Sequence, residues 1–591
     1  MVDNEANKRK TGDIIDLILL KRVLTFARPY KIYFYLAAIA AISLSFLGPI
    51  RPLLINHAVD NYIIIPDKEN LLKITILLLV LLFFEGIIQF IYMYLSTWIG
   101  QNVIKDLRAK IFKHIISLKM AYFDQTPIGQ LVTRCVSDIE TIADIFTQGL
   151  LVIIGDLLKL IAVILIMFCL DWRLAIASML TIPILLVATA WFKRNIKKAF
   201  QDVRERVSQL NTFVQERIVG MNIIQIFNRE DAEFINFKKI NAAHRDAHLR
   251  SIFYYAVFFP IVEILSAISI GLVVWYGGQE ALTGNRITIG ELISFILLIH
   301  MMFRPIRQLA DRFNILQMGI VGSERVFRVL DNEDKIKDEG KIDLVEVKGD
   351  IIFENVYFSY TKSNYVLKNF SFKLEAGNFL ALVGKTGAGK TSVINILSRY
   401  YEIQKGMVKI DDININKISI NSLRNYIALV QQDVFLFSDS IFNNVTLFNQ
   451  NISREDVVLA AKEIGVHEFI ISLPNNYDYI VGERGVTLSS GQRQLIAFLR
   501  IYVRNPKILI LDEATSSIDT STEGLLQKAL IKLTYQRTTI VIAHRLSTII
   551  TADKILYLEN GQIVEEGSHK ILMNKKGKYY NSFMIQRDEL S

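Results

Sequence analysis

The residues best suited to chemistry lie in the second half of this 591-residue chain. Gly384-Lys385-Thr386-Gly387-Ala388-Gly389-Lys390-Thr391 follows the short apolar run Phe379–Val383. It precedes Val393, Ile394, Ile396 and Leu397, which have helical spacing. A strand, a glycine loop and a helix in that order suit a phosphate group. The glycines let backbone N–H groups turn inward, and the helix N-terminus adds the positive end of its dipole. Lys390 would reach the β- and γ-phosphates of a nucleoside triphosphate, with Ser392 beside it. The Thr391 hydroxyl would bind Mg²⁺, a hard ion that takes oxygen ligands. Further on, the apolar run Ile508–Leu511 ends in Asp512-Glu513. Asp512 would hold Mg²⁺ through water, and Glu513 would orient and polarise the attacking water. Phosphoryl transfer needs little more than this positioning and charge neutralisation.

These motifs need a soluble frame, yet the chain is 51% apolar with a mean hydropathy of +0.32. The apolar residues are concentrated in the first 310 positions. Six stretches there are long enough to cross about 30 Å of hydrocarbon, which takes about 20 helical residues. They are Ile32–Val59, Leu72–Ile99, Leu150–Leu170, Leu174–Phe192, Ile252–Tyr276 and Ile287–Leu309. The intervening segment 101–142 carries six Lys/Arg and 193–250 carries twelve. Loops 60–71, 171–173 and 277–286 carry only Lys68, Arg173 and Arg286. That bias puts the long loops and both termini in the cytoplasm. It also accounts for the net charge of +9 without nucleic acid. Apolar residues with helical spacing continue past the spans, so the helices should run on beyond the bilayer.

Cys135 and Cys169 lie in different kinds of segment, so no disulfide is expected. The first 20 residues lack the long apolar core and cleavage site of a signal peptide, so none should be removed. Several charges fall in or near the spans: Arg51, Glu85, Asp156 with Lys159, Glu263, and Arg304 with Arg307. Charges at membrane depth are costly and usually face a bundle interior or water. Glu85 and Glu263 are the candidates for a substrate path. From Asp331 to Lys348 the chain becomes highly charged and loses apolar periodicity, as a linker does. Ile351–Phe358 then alternates as a strand.

The order of motifs resembles the ATP-binding cassette (ABC) family. Between the phosphate loop and Asp512-Glu513 lies Leu488-Ser489-Ser490-Gly491-Gln492, which matches the family signature except at Ser490. Alone it reads as a turn into a helix that starts near Gln492. The resemblance implies a membrane all-α six-helix exporter domain followed by an α/β P-loop NTPase domain. Residues 1–30 would form an N-terminal segment with an elbow helix and 31–325 the transmembrane domain. A linker (326–348) and the nucleotide-binding domain (349–591) follow. It implies ATP and Mg²⁺ as cofactors and stacking of adenine on Tyr360. It also implies a Q-loop glutamine at Gln432 that contacts Mg²⁺, a switch histidine at His544 and a D-loop aspartate at Asp519. Gly482-Glu483-Arg484-Gly485 resembles the exporter X-loop, and the turns near Phe123 and Gly220 resemble coupling helices.

In that family the signature closes over ATP held by a second subunit, so the chain would be a half-transporter of a bacterial-type inner or plasma membrane. It would export drugs, lipids or other amphipathic substrates by alternating access. Its own ATP site is complete, and the signature it lends to the partner is altered at Ser490. That combination favours a heterodimer, with a homodimer left open. Two other readings stay open: peptide export without a processing domain, and a nucleotide-gated channel or regulatory subunit.

Overall fold

The computed structural model describes residues 17–282, 287–336, 338–361, 364–512, 520–543 and 549–590. They form two compact units. One holds the described residues up to Ile116 together with Ile128–Glu333; the other holds Ser117–Pro127 and the described residues from Asp334 onward.

The first unit is helical. A short helix α1 (Leu17–Phe26) precedes α2 (Lys31–Ala58) and α3 (Lys68–Ile115). Helix α4 (Met120–Gln125) belongs to the second unit. Then come α5 (Ile128–Cys135), α6 (Ser137–Asp144), α7 (Leu150–Leu170), α8 (Trp172–Met179), α9 (Ile182–Val219), α10 (Met221–Ile226), α11 (Glu230–Leu282) and α12 (Ile289–Leu330). Among the described residues, six stretches are long and apolar enough to cross a membrane. Helices α3 and α11 have 48 and 53 residues. At 1.5 Å per residue they are roughly 70–80 Å long, over twice the hydrocarbon thickness. The expected fourth span, Leu174–Phe192, is interrupted at Leu180–Thr181, where α8 ends and α9 begins with Pro183 in its first turn. Proline lacks the N–H that a continuing helix would use, and the first turn tolerates that loss.

Water offers no hydrophobic drive between helices in lipid, so close approach of small residues matters there. Helix α2 buries Ala37, Ala41, Ser45, Gly48 and Pro52 along one face. The Ser45 hydroxyl donates to the Gly155 carbonyl of α7 at 2.9 Å. Helix α12 meets α6 through Gly319 and Gly322. A Cβ on Gly322 would lie 2.3 Å from Thr141 Oγ1 and 2.9 Å from the Asp138 carbonyl oxygen. Helix α1 is tied to the end of α12. Arg22 donates to both Asp331 carboxylate oxygens at 2.7 and 2.5 Å, and Phe26 stacks on Phe327.

The second unit has two sheets. The strands are β1 (Ile351–Phe358), β2 (Leu367–Leu374), β3 (Phe379–Gly384), β4 (Lys405–Ile410), β5 (Ile413–Asn414), β6 (Ile427–Val430), β7 (Ile508–Asp512), β8 (Thr538–Ile542), β9 (Lys554–Glu559) and β10 (Gln562–Gly567). An antiparallel sheet runs β2-β1-β4-β5. A larger sheet runs β10-β9-β3-β8-β7-β6 and is parallel from β9 to β6. Its strands are continuous apolar runs because both faces are covered. Leu380, Leu382, Ile508, Ile510, Ile540 and Ile542 pack with the helix Lys390–Leu397 and the antiparallel sheet. Ala381, Val383, Leu509, Leu511 and Val541 pack on the opposite face with the helix Ser490–Arg504.

Residues 326–348, read as a linker, are divided between other elements. Residues 326–330 complete α12, which therefore outruns the expected boundary at 325. From Asp334 the chain lies against the second unit, with Val347 in its core. The charge that suggested a free linker is used locally: the Asp338 carboxylate accepts from the Ile420 N–H at 3.0–3.1 Å.

Overpacking a close helix contact costs roughly 1–3 kcal/mol. Gly322→Val should therefore lower the thermal midpoint of the purified protein by several degrees. Gly86→Ala, where a Cβ meets nothing within 4 Å, should leave it unchanged.

Candidate functional site

Strand register brings the chemical residues to one edge of the large sheet. Leu382 of β3 and Asp512 of β7 both pair with Ile542 of β8, and Val430 of β6 pairs with Leu511. Strands lie about 4.8 Å apart, so the phosphate loop and Asp512 are separated by about 10 Å, or two strand spacings. Gln432 follows β6 at the same edge. This is the carboxyl end of the parallel strands, where open α/β sheets bind ligands.

The loop geometry requires its glycines. Gly384 has φ +152°, and a Cβ there would meet the Leu558 carbonyl oxygen at 2.3 Å. Gly389 has φ +102°, and a Cβ would meet Leu367 at 2.7 Å. The Lys390 ammonium folds back into the loop and donates to the carbonyls of Gly384 (2.6 Å) and Lys385 (3.1 Å). Lys385, Thr386, Gly387 and Thr391 are exposed, whereas Ala388 and Ser392 are buried. The loop thus presents its backbone and a poised cation to a phosphate. Thr391 and Asp512 carry oxygen atoms of the hard kind that could hold Mg²⁺.

Ser392 has a different position from the one its place in the motif suggests. Its hydroxyl shares a hydrogen bond with the Tyr360 hydroxyl at 3.1 Å, and Asn395 donates to the same hydroxyl at 3.0 Å. Tyr360 also meets the Tyr401 ring edge-on, with centroids 4.9 Å apart. The Tyr401 hydroxyl donates to the Asp124 carboxylate on α4. Burial, and then that bond, push the Tyr401 phenol well above its ordinary pKa, so it stays a donor. Lys119, just before α4, donates its N–H to the Asp334 carbonyl at 2.9 Å, and its ammonium is 3.9 Å from Glu402.

The stretch Leu488–Gln492 forms a helix start. Ser489 is the N-cap: its hydroxyl accepts from the Gln492 N–H (3.2 Å), and the Gln492 side chain accepts from the Ser489 N–H (2.9 Å). This capping box starts the helix at Ser490, two residues before the sequence expectation. Ser489 and Ser490 are exposed, while Leu488 and Gly491 are buried. Arg493 donates to the Leu488 carbonyl at 2.7 Å and the Gly485 carbonyl at 3.4 Å, tying this start to the turn Gly482–Gly485.

The helical unit holds a cavity of about 950 Å³ between α2, α3, α6, α7 and α12. It is lined by Arg51, Glu85, Tyr92, Asp156, Lys159, Arg304 and Arg312, among others. Arg51 and Glu85 form an ion pair at 3.0 Å.

Comparison with known proteins gives these features a family. Residues 34–306 match the ABC transporter transmembrane region, and residues 367–516 match the ABC transporter family itself. An uncharacterized ABC transporter ATP-binding protein, YknV of Bacillus subtilis (strain 168), is 38% identical over 564 residues, 94% of this chain and 93% of that protein. The chain belongs to the ABC transporter family. This ABC transporter also resembles an ATP-dependent lipid A-core flippase of Syntrophus aciditrophicus (strain SB), at 33% identity over 97% of this chain and 95% of the relative. A putative multidrug export ATP-binding/permease protein of Staphylococcus aureus (strain NCTC 8325 / PS 47) is 35% identical over 96% of this chain and all of the relative. The transporter binds ATP, couples its hydrolysis to export and is a multi-pass membrane protein.

Of the residues expected from sequence, the structure gathers Gly384–Thr391, Gln432 and Asp512 at one sheet edge. It sets Tyr360 and Ser392 together beside that loop. Glu85 lines the cavity, and Glu263, exposed on α11, does not. Glu513, Asp519 and His544 lie outside the described residues. Sequence reasoning gave no role to Tyr401 or Arg493, and it placed Asp124 only within the turn near Phe123. Tyr401 follows the phosphate-loop helix in an aromatic pair with Tyr400, and Arg493 lies inside the signature stretch, but neither position carries a spacing signal for its contact.

Tyr401→Phe keeps the ring against Tyr360 and removes only the bond to Asp124. Substrate-stimulated ATPase should fall about threefold or more, while the KM for ATP stays within about twofold. A raised KM with unchanged stimulation would mean that Tyr401 serves the nucleotide pocket alone.

Proposed function

We propose that this chain is one half of a dimeric exporter in a bacterial-type inner membrane, with its ATPase unit in the cytoplasm. It would move drugs, lipids or similar amphipaths out of the cytoplasm or inner leaflet. One observation carries the reading: a phosphate loop, a carboxylate-capped strand and Gln432 converge on one sheet edge, in a chain whose described residues also form six spans and a charged cavity between some of them. Orientation rests on the Lys/Arg bias of the long loops.

Mg²⁺-ATP supplies the bond whose hydrolysis drives the cycle. Lys390 would exchange its loop carbonyls for phosphate oxygens. Thr391 and Asp512 would hold the ion with Gln432, Glu513 would position the attacking water and His544 would bond the γ-phosphate. Tyr360 would stack on adenine, its hydroxyl anchored by Ser392. The capped helix start at Ser489, with Ser490 and Gly491, would face the ATP of a second chain, with Asp519 alongside. Only a ligand that prefers the closed state can drive closure, and these cross-subunit contacts supply the preference.

A second chain also suits surfaces left bare. Ile223, Ile226 and Phe227, at and just after α10, are 59, 74 and 70% exposed, and Phe435 and Phe437 after Gln432 are 49 and 47% exposed. Exposed apolar patches of this kind mark interaction sites. Ser490 was the ground for expecting an unlike partner. It occupies the first helical turn, where serine fits without strain and leaves the cap intact, so the partner can equally be a second copy.

Glu513→Gln should retain ATP binding and lose hydrolysis by about 100-fold or more, with transport lost in parallel. Persistent ATP-gated flux in that variant would favour a channel. The wild-type chain purified alone should hydrolyse ATP if it pairs with itself. Absence of ATPase until an unlike half-transporter is co-expressed would establish the heterodimer.

A further inference from the structure

We propose that the membrane cavity selects amphipaths with an anionic head, a phosphate or similar oxyanion, seated between Lys159 of α7 and Arg304 of α12. The inference rests on the export reading and adds the substrate's charge class.

The argument begins with which charges in the cavity are already matched. Four lining side chains are cationic (Arg51, Lys159, Arg304 and Arg312) and four are carboxylates (Glu85, Glu140, Asp144 and Asp156). Glu85 is taken by Arg51 at 3.0 Å. Glu140 faces Arg108, outside the cavity, at 3.7 Å. Asp144 is hydrogen-bonded by Thr147. Asp144 and Asp156 are left without a cation of their own, against Lys159, Arg304 and Arg312. Asp156 and Lys159 have the i, i+3 spacing that allows an ion pair. Among the described residues, however, no carboxylate oxygen lies within 4.0 Å of the Lys159 ammonium or the Arg304 guanidinium. Arg312 reaches only the Gln148 carbonyl, at 3.5 Å.

With Glu85 and Glu140 each committed to an arginine, three cations face two carboxylates in the rest of the lining. Lys159 and Arg304 lie close in depth. A Cβ on Gly48 would lie 3.7 Å from Lys159 and 3.3 Å from Met301, one helical turn before Arg304. Charges at this depth are expensive and face water or a substrate. A second observation agrees. The Tyr92 hydroxyl, on the same cavity, is buried without a hydrogen-bond partner. A buried hydroxyl without a partner loses free energy until an acceptor arrives. An oxyanion would accept from Tyr92 while Lys159 and Arg304 neutralise it; guanidinium suits phosphate oxygens because its N–H groups bond them in pairs. Leu44, Met93 and Leu151 line the same cavity and suit the substrate's apolar chain. A cationic amphipath would find Asp144 and Asp156, with three cations among them.

The test uses the full chain in nanodiscs of zwitterionic lipid. Binding is measured for dodecyl phosphate, dodecyltrimethylammonium, dodecyl maltoside and inorganic phosphate. ATP-dependent movement of the three amphiphiles is measured in vesicles. Dodecyl phosphate should bind about tenfold or more tightly than either other amphiphile, a difference of about 1.4 kcal/mol. Inorganic phosphate should not displace it at equal concentration; if it did, the site would serve a free anion and the amphipath would be excluded. The double variant Lys159→Gln/Arg304→Gln should lose the preference, while Lys159→Arg keeps both the charge and the preference and controls for folding. The charge class is overturned if dodecyltrimethylammonium binds as well as dodecyl phosphate, or if the double variant keeps the wild-type ranking. The export reading fails separately, if no amphiphile moves in an ATP-dependent way.

Discussion

Parallel pairing of β3, β8, β7 and β6 is the constraint on which the ATP site depends. Side chains alternate across a strand, so a one-residue slip would turn every buried residue to the other face. Leu380 and Leu382 would leave the layer shared with the helix Lys390–Leu397, and Ala381 and Val383 would leave the layer shared with the helix Ser490–Arg504. Both faces are apolar and covered, so register is strongly specified. That register sets the phosphate loop and Asp512 two strands apart with β8 between them.

The membrane unit answers a different constraint. In hydrocarbon every backbone polar group must be bonded internally, so helices are required, and small residues let them approach. The contacts of Gly319 and Gly322 with α6 and of Ser45 with Gly155 follow from that requirement. Several of the charges line the space that the helices leave. Arg51 lies between Pro49 and Pro52 on α2 and reaches Glu85 on α3, so the ion pair crosses between two helices instead of running along one.

Much of this was legible in the sequence, for physical reasons. Long apolar runs have few alternatives to spanning helices. A glycine loop between an apolar strand and a helix is a local pattern, and its function needs only local geometry. The limits were equally physical. The start of the helix at Ser490 depends on a capping box whose second half, Gln492, reads in sequence as the start of the helix itself. The charged run after Asp331 resembled a free linker, because nothing local shows that the Asp338 carboxylate bonds the Ile420 N–H. Glu85 and Glu263 looked equivalent as lone acids in apolar spans. Only the packing of α3 against α2, where Arg51 meets Glu85, sets Glu85 on the cavity.

The contact that sequence spacing hid most completely is the one that bears on coupling. Ser117–Pro127 interrupts the membrane unit's chain between α3 and α5, yet it packs with the ATPase unit. Its hold there is specific. Leu118 pairs with Lys335 in a β-bridge, the Lys119 N–H bonds the Asp334 carbonyl, and Asp124 receives the Tyr401 hydroxyl. Tyr401 in turn meets Tyr360, which is fixed by Ser392 and Asn395 on the phosphate-loop helix. A shift of that helix would therefore reach α4 through two rings and three hydrogen bonds, with no flexible side chain between. Lysine or glutamate at 401 would add rotatable bonds that absorb the displacement. Tyrosine combines rigid transmission with one polar end.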